Sequence, residues 1–274
     1  MSALYLVATP IGNLGDISHR ALEILRQCDF IAAEDTRVTQ KLLNHFGIRK
    51  PLVSYYEHNR AASGRKILER LIAGESCALV TDAGTPIISD PGFDIVSLCL
   101  ENDVRVESIP GPCAAVTALT LSNLPSGRFC FEGFLSVNKR ARREHLESIK
   151  NEKRTMVFYE APHKLVYTLN DLLETLGDRR ISICRELTKI HEEVLRTTLS
   201  RAAAHFSEVA PKGEFVLVVE GAPEAESENG VSLEEAVELV RAKHEGGMKL
   251  RDAAREVAAE TGLNKNELYN AAVE

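Results

Sequence analysis

Between residues 4 and 109 the chain alternates short apolar runs with longer stretches whose apolar residues recur at helical spacing. No other feature restricts the fold as strongly. A strand followed by a helix before the next strand builds a parallel sheet with helices on both faces. Its strands then read as unbroken apolar runs. Leu4–Ala8, Phe30–Ala33, Leu52–Tyr55, Cys77–Thr81 and Val104–Ile109 have that character. The stretches Ser18–Gln27, Thr36–Phe46, Gly64–Ala73 and Phe93–Glu101 read as the intervening helices. Asp16 or Ser18 is available as an N-cap for the first, and Gly47 stops the second. The expectation is an α/β domain with a mostly parallel, buried sheet.

A second α/β unit is expected after Leu124–Gly127. Strands are read at Phe129–Glu132, Thr155–Tyr159, Ile181–Arg185, Glu193–Thr197 and Glu214–Glu220, and helices at Lys139–Ile149, His163–Leu176 and Ser200–Ser207. The run EFVLVVEG is β-branched, as a central strand would be. The polar, acidic APEAESENG (222–230) reads as a linker. Beyond it, Leu233–Glu245, Leu250–Thr261 and Lys265–Val273 read as three helices broken by Gly246-Gly247 and Gly262. The division expected is therefore 1–122, 123–221, a linker at 222–231, and a trihelical, helix-turn-helix-like module at 232–274.

Two Pro/Gly clusters follow strands: TDAGTPIISDPG (81–92) and IPGP (109–112). Ligands of open α/β sheets bind outside the carboxyl ends of the strands. These loops, with TPIGN (9–13) after the first strand, are thus candidate ligand loops beyond their turn chemistry. No Gly-x-Gly or Gly-Lys pair occurs, and HExxH and GxSxG are absent. A standard dinucleotide fold, a P-loop NTPase, a zinc protease and an α/β-hydrolase are disfavoured. The six cysteines form no CxxC pair, so no metal site is expected, and most read as small core residues. No apolar stretch reaches the ~18 residues of a membrane span, and MSALYLVATPIG does not read as a secretory signal. Together these features point to a reducing cytoplasm.

The net charge of −7 is unevenly spread. Residues 221–274 hold twelve acidic and six basic residues, which leaves the body close to neutral. Residues 136–154 hold seven basic and three acidic residues. The stretch fits a solvated helix face, and equally a local phosphate-contacting patch at Lys139, Arg140, Arg142 and Arg143.

Seven segments carry a resemblance: LVATPIGNLGDIS, AAEDTR, LVTDAGTPIISDPG, IPGPCAAVTAL, LPSGRFCFEGFL, FYEAPHKL and CRELTKIHEEV, in this order. Together they resemble the tetrapyrrole methylase superfamily, and within it the ribosomal RNA small-subunit methyltransferase I branch of cytidine 2′-O-methyltransferases. The resemblance covers essentially the whole chain. It implies two α/β domains with S-adenosylmethionine in the cleft between them, a homodimer, and 16S rRNA in an assembled small subunit as partner. It also implies cofactor contacts at Pro10, at Asp82, Ala83, Gly84, Thr85 and Pro86, at Pro110, Gly111, Cys113 and Ala114, and at Tyr159. Ser136 departs from the family, which often has Pro after GFL.

Methyl transfer from a sulfonium to a hydroxyl releases a neutral leaving group, so no acid is needed there. Positioning can supply up to ~7–11 kcal/mol, and a base roughly 10²–10⁴-fold. The polar candidates are Glu34, Asp35, Arg37, Glu160, His163, Arg185 and Glu186. Among them Asp35 is also placed to cap a helix, Arg185 and Glu186 to pair with each other, and His163 simply to start its helix. Glu160 is expected near the hydroxyl, and Arg37 or Arg185 on phosphate or base. The base itself stays open. The rival readings are a precorrin-type tetrapyrrole methyltransferase and a non-catalytic ribosome-associated RNA-binding protein.

Overall fold

A computed structural model describes residues 2–223 and 232–273. Apart from residues 222 and 223, the expected linker lies outside the described residues. Residues 1–221 make one compact unit and residues 222–274 another.

The first unit begins with β1 (Leu4–Val7), α1 (His19–Gln27), β2 (Phe30–Ala33), α2 (Thr36–His45), β3 (Leu52–Ser54), α3 (Arg60–Ile72), β4 (Cys77–Val80), α4 (Phe93–Glu101) and β5 (Val106–Ile109). Ser18 caps α1 by accepting from Ala21 N at 3.1 Å, so of the two residues available it is the cap. The strand order is β3-β2-β4-β1-β5 and every pairing is parallel. Alternating side chains divide the helices between the faces. Val7, Ile31 and Ala33 pack against Ala21 and Leu25 of α1 and Leu43 of α2. Leu4, Phe30, Ala32 and Leu79 pack against Ile67 of α3 and Ile95 and Cys99 of α4. Each Val, Leu, Ile or Phe side chain among them, removed from water, contributes about 1.5–3 kcal/mol. The neighbours β1 and β4 therefore send their connections to opposite faces. Between their carboxyl ends the chain parts and leaves a crevice.

A helix that the periodicity does not announce follows, α5 (Ala114–Leu121). Its sequence AAVTALTL is apolar on nearly every side, so no stripe marks it. The second sheet comprises β6 (Phe129–Phe134), β7 (Thr155–Glu160), β8 (Arg180–Arg185), β9 (Glu193–Thr198) and β10 (Phe215–Val219), with α6 (Lys139–Ser148), α7 (Leu165–Leu176) and α8 (Leu199–Glu208) between them. Its order is β6-β7-β10-β8-β9. Only β6 and β7 run parallel, and the other pairings are antiparallel. Phe215, Leu217 and Val219 of β10 face α7 and α8, through residues such as Leu169 and Phe206. The alternate residues Val216 and Val218 face Ala115 and Ala118 of α5. The helix thus fills the space over the second sheet where the chain leaves the first.

The second unit holds α9 (Leu233–Glu245), α10 (Leu250–Thr261) and α11 (Lys265–Val273), within the bounds read from the sequence. Ser232 and Glu235 close a reciprocal capping box at the start of α9. Gly262, at φ 73°, takes the left-handed turn that ends α10. Ala236, Val240, Ala253, Val257 and Leu268 form the core of this unit.

Several boundaries differ from the reading of the sequence, among them those of α3, β6 and α7. The start of α3 is Arg60, because RAAS has helical propensity but no apolar stripe to announce it. The strand β6 runs on past Glu132, because Gly133 (φ 65°) takes up a bulge instead of ending it. Helix α7 starts at Leu165, so His163 lies in the preceding turn. No helix among the described residues is long and apolar enough to cross a membrane. All six cysteines are free thiols, and among the described residues no three His, Cys, Asp or Glu are grouped to hold a metal ion.

Candidate active-site cleft

The three Gly/Pro loops converge at the crevice. Thr9 and Gly84 exchange both backbone hydrogen bonds, at 2.9 and 3.0 Å, and so tie the β1 loop to the β4 loop. Gly84 adopts φ 85°, which costs a residue with a Cβ. Thr85 Oγ1 donates to Pro112 O at 2.9 Å and ties the β4 loop to the β5 loop. Gly111 presses on β1 so closely that a Cβ there would lie 2.8 Å from Ala8 Cβ. Against these loops stands the second sheet. The Tyr159 hydroxyl accepts from Ala115 N at 3.2 Å and caps α5, whose own N-cap Cys113 makes no side-chain capping bond. Burial pushes the Tyr159 phenol well above its ordinary range, so it stays protonated.

Between loops and sheet lies a cavity of about 370 Å³, within the range of small-ligand sites. Its apolar wall includes Ile11, Ile88, Phe134, Leu187 and Val216. Its polar wall is acidic: Glu34, Asp82, Asp90, Glu160 and Glu214 border it, and among the described residues no Lys, Arg or His does. Glu34 and Asp82 are both raised, first by burial and then by neighbouring carboxylates. Burial, reinforced by Glu34 and Asp82, pushes Asp90 up to about 7. Such a wall disfavours a phosphate and favours a cation, which would relieve the mutual repulsion.

The residues expected to bind cofactor divide into two sets. Asp82, Ala83, Gly84, Thr85, Ala114 and Tyr159 line the cavity. Pro10 instead borders an adjoining depression with Thr9, Thr39, Lys41 and Asp82. Pro86, Pro110, Gly111 and Cys113 are not among the lining residues, although they lie in the same loops.

The residues expected to be catalytic are not brought together. Tyr159 and Glu160 are consecutive on β7, so their side chains point to opposite faces. Tyr159 faces the cleft, and the buried Glu160 carboxylate turns toward α7. There it accepts from Thr168 Oγ1 at 2.5 Å and Ala161 N at 2.8 Å, and pairs with Lys164 Nζ at 3.0 Å. Arg185 follows Cys184, which lines the cavity, and for the same reason points away from it. Its Nε donates to Lys212 O at 2.7 Å and its Nη1 pairs with Glu193 at 3.2 Å. Arg37 lies outside the cavity, 86% exposed and paired with Asp35 at 2.6 Å. Asp35 itself caps α2 by accepting from Arg37 N. Glu186 pairs with Lys189 at 2.9 Å rather than with Arg185.

The basic stretch at α6 is largely paired. Arg140 holds Glu144 at 2.8 Å, and Arg143 holds Glu174 at 2.7 Å, both near the surface. Exposed pairs of this kind contribute about 0–1 kcal/mol and exchange readily for phosphate. Lys139 is exposed with no ion pair among the described residues. Arg142 is different: its Nε bonds Asp171 at 2.6 Å with both side chains nearly buried, and its Nη1 donates to Ser136 O and Val137 O. Arg142 therefore stands apart from the expected RNA-contacting set, because its guanidinium is consumed by the fold.

Sequence reasoning missed Asp90 and Phe134. Both lie in segments quoted for the resemblance, SDPG and GFL, and the available signal was a carboxylate and an aromatic ring in those loops. Phe134 is half exposed at the cleft mouth, edge-on to Tyr159 with centroids 5.5 Å apart.

Comparisons with known proteins agree with this architecture. Residues 3–203 match the Tetrapyrrole (Corrin/Porphyrin) Methylases, and residues 232–274 match the RsmI C-terminal HTH domain. A protein of Synechocystis sp. named ribosomal RNA small subunit methyltransferase I is 48% identical, over 100% of this chain and 98% of its own length. Another of that name, from Halalkalibacterium halodurans, is 48% identical over 97% of this chain and 93% of its own. The solved uroporphyrin-III C-methyltransferase of Thermus thermophilus, complexed with S-adenyl homocysteine, superposes with a TM-score of 0.56 at 19% identity. The match covers 80% of this chain and 97% of that one, which shows the shared fold. By its fold, its motifs and its full-length relatives, the chain belongs to the tetrapyrrole methylase family and, within it, to the ribosomal RNA small subunit methyltransferase I family.

Proposed function

We propose that this protein methylates a cytidine ribose 2′-hydroxyl of small-subunit (16S) ribosomal RNA, with S-adenosylmethionine as donor. The observation that carries the reading is the acid-walled cavity at the carboxyl edge of the first sheet, bordered by no basic residue among those described. The donor brings a methyl group on a positively charged sulfur, and also carries a cationic ammonium. A wall of Glu34, Asp82 and Asp90 suits that charge, and the cavity volume suits a molecule of that size. Asp82, Ala83, Gly84, Thr85, Ala114 and Tyr159 are the donor-contacting residues in this reading. Pro10, Pro86, Pro110, Gly111 and Cys113 hold the loops in shape. Glu160 acts indirectly, by fixing Lys164 beneath the Phe134 ring.

The RNA substrate is supported by relatives of that name that match the chain end to end, including the module at 232–274. The acidic cleft excludes phosphates, so the backbone stays at the rim and only a nucleoside enters. Lys139, Arg140 and Arg143 supply the rim contacts. The finer readings are an assembled small subunit as substrate, a homodimer, a cytoplasmic location, and domains bounded at 1–122, 123–221 and 232–274.

The test incubates the protein and labelled S-adenosylmethionine with small subunits from a strain lacking the gene. The label is then mapped by nuclease digestion and mass spectrometry. A single 2′-O-methylcytidine is expected. Unlabelled RNA, with donor binding intact by calorimetry, would sink the RNA reading and favour a tetrapyrrole substrate. Absence of donor binding would favour a non-catalytic RNA-binding protein.

A further inference from the structure

Transfer to a hydroxyl needs somewhere for the proton to go, and five acidic residues border the cleft. Four of them are engaged. Glu160 is held by Thr168, Ala161 and Lys164 on the far face of β7. Glu214 pairs with Lys189 at 3.0 Å. Asp82 Oδ1 accepts from Asp35 N at 3.1 Å, and Glu34 accepts from the backbone of Asp82. Asp90 alone among them has no hydrogen-bond or ion-pair partner among the described residues, and it lines the cavity.

The loop that carries Asp90 is held in an unusual conformation. Ile87 and Ser89 both have positive φ, 77° and 67°. A β-branched residue there is a backbone outlier, kept only where its surroundings impose the conformation. The Ile87 side chain packs where a Cβ of Gly92 would stand, 2.7 Å away. On its other side the loop reaches the second sheet, with Ser89 Oγ 3.4 Å from the Cβ position of Gly133. The surrounding packing fixes this backbone between the two sheets. Strain kept at a cleft, next to an unpaired carboxylate, is the arrangement of a working group rather than of a stabilising one.

We propose that Asp90 is the general base that accepts the ribose hydroxyl proton. This inference rests on the proposed methyl transfer to a hydroxyl. The O–H bond breaks and its proton passes to an Asp90 oxygen. At the same time the hydroxyl oxygen bonds the methyl carbon, and the carbon–sulfur bond breaks with its electron pair left on sulfur. A cationic sulfonium and an anionic carboxylate become a neutral thioether and a neutral acid, and the acid then loses its proton to water. Because charge is annihilated, a desolvated site favours the forward step. The groups facing Asp90 are Glu34 and Asp82 from the first sheet and Tyr159 from β7, with Arg37 beyond Asp82. In the donor-free protein burial, reinforced by the Glu34 and Asp82 carboxylates, raises its carboxyl to about 7. A bound cation lowers that value, so donor binding ionises the base just when it is needed.

The experiment compares wild type with Asp90→Asn, which keeps the side-chain size and removes a charge that bonds to nothing. Single-turnover methylation of small subunits is followed at saturating donor, alongside donor affinity and proton release by calorimetry in buffers of different ionisation enthalpy. The expected result is a loss of about 10²–10⁴-fold in the single-turnover rate. The rise of the wild-type rate with pH, through an apparent value at or below about 7, disappears in the variant. Donor binding near pH 7 releases protons from wild type and fewer from the variant. A rate within tenfold of wild type at saturating donor overturns the proposal. So does a defect confined to donor affinity, which would make Asp90 a donor-binding residue. Failure of the wild type itself to methylate the subunits marks the broader reading as wrong, a result read before the variant is compared.

Discussion

Replacing Arg142 by Ala tests whether the basic helix is partly structural. Its guanidinium and the Asp171 carboxylate are only 12% and 10% exposed, and they meet at 2.6 Å. Removing one partner of a buried pair costs about 3–5 kcal/mol, because the other charge is left without compensation. Arg143 lies 3.8 Å from the same carboxylate and can take over part of the interaction, which argues for the lower end. The carbonyls of Ser136 and Val137 lose a donor as well, but they lie near solvent and recover water. A loss of about 3 kcal/mol lowers Tm by roughly 6–12 °C in a unit of this size. Arg140→Ala is the control. Its side chain is 89% exposed and makes one pair with Glu144, so it shifts stability by no more than about 0.5 kcal/mol. Thermal unfolding by circular dichroism reads both. A Tm for Arg142→Ala within 2 °C of the Arg140→Ala value would refute the reasoning. RNA-contact tests by charge reversal are therefore cleanest at Lys139 and Arg140, because Arg143 also reaches Asp171.

Two further perturbations address the cleft. A Cβ at Gly12 would stand 2.9 Å from Leu187 O and 2.8 Å from Thr188 Oγ1. Gly12→Ala should therefore push the β1 loop off the loop that follows β8, cost about 1–3 kcal/mol by urea unfolding, and weaken donor binding. Unchanged stability and affinity would contradict the close approach. Tyr159→Phe leaves Ala115 N without its acceptor. It should cost about 1–3 kcal/mol and raise the calorimetric dissociation constant for the donor several-fold. An unaltered constant would remove Tyr159 from the donor-contacting set.

The parallel sheet was readable because its central strands β2 and β4 are buried on both faces and its helices on one, so period and apolarity coincide. The three helices from Leu233 to Val273 were readable for the same reason, with caps and glycines at their ends. Helix α5 was not, since a helix buried on most sides carries no stripe. The loops around Asp82–Thr85 and the residue Tyr159 follow from the motifs that carry the resemblance. Glu160 and Arg185 were both read with their motifs, whereas the period of two along β7 and β8 turns their side chains away from Tyr159 and Cys184. Nothing local in the sequence separates Arg142 from Arg140 and Arg143. That distinction comes from Asp171, 29 residues further along the chain.

The position of β10 has a consequence for biosynthesis. It is the central strand of the second sheet, bonded to β7 on one side and β8 on the other, yet it is the last of the five to be made. Until it arrives, β7 and β8 expose open, apolar edges of the kind that recruit other chains. The roughly 34 residues from the end of β8 to the end of β10 take about 2–7 seconds at ordinary elongation rates of about 5–20 residues per second. During that interval the nascent chain is exposed to aggregation and to chaperones, and slow codons within it would lengthen the exposure. A chain terminated before Phe215 leaves the sheet split into two pieces, each with an edge that nothing later closes.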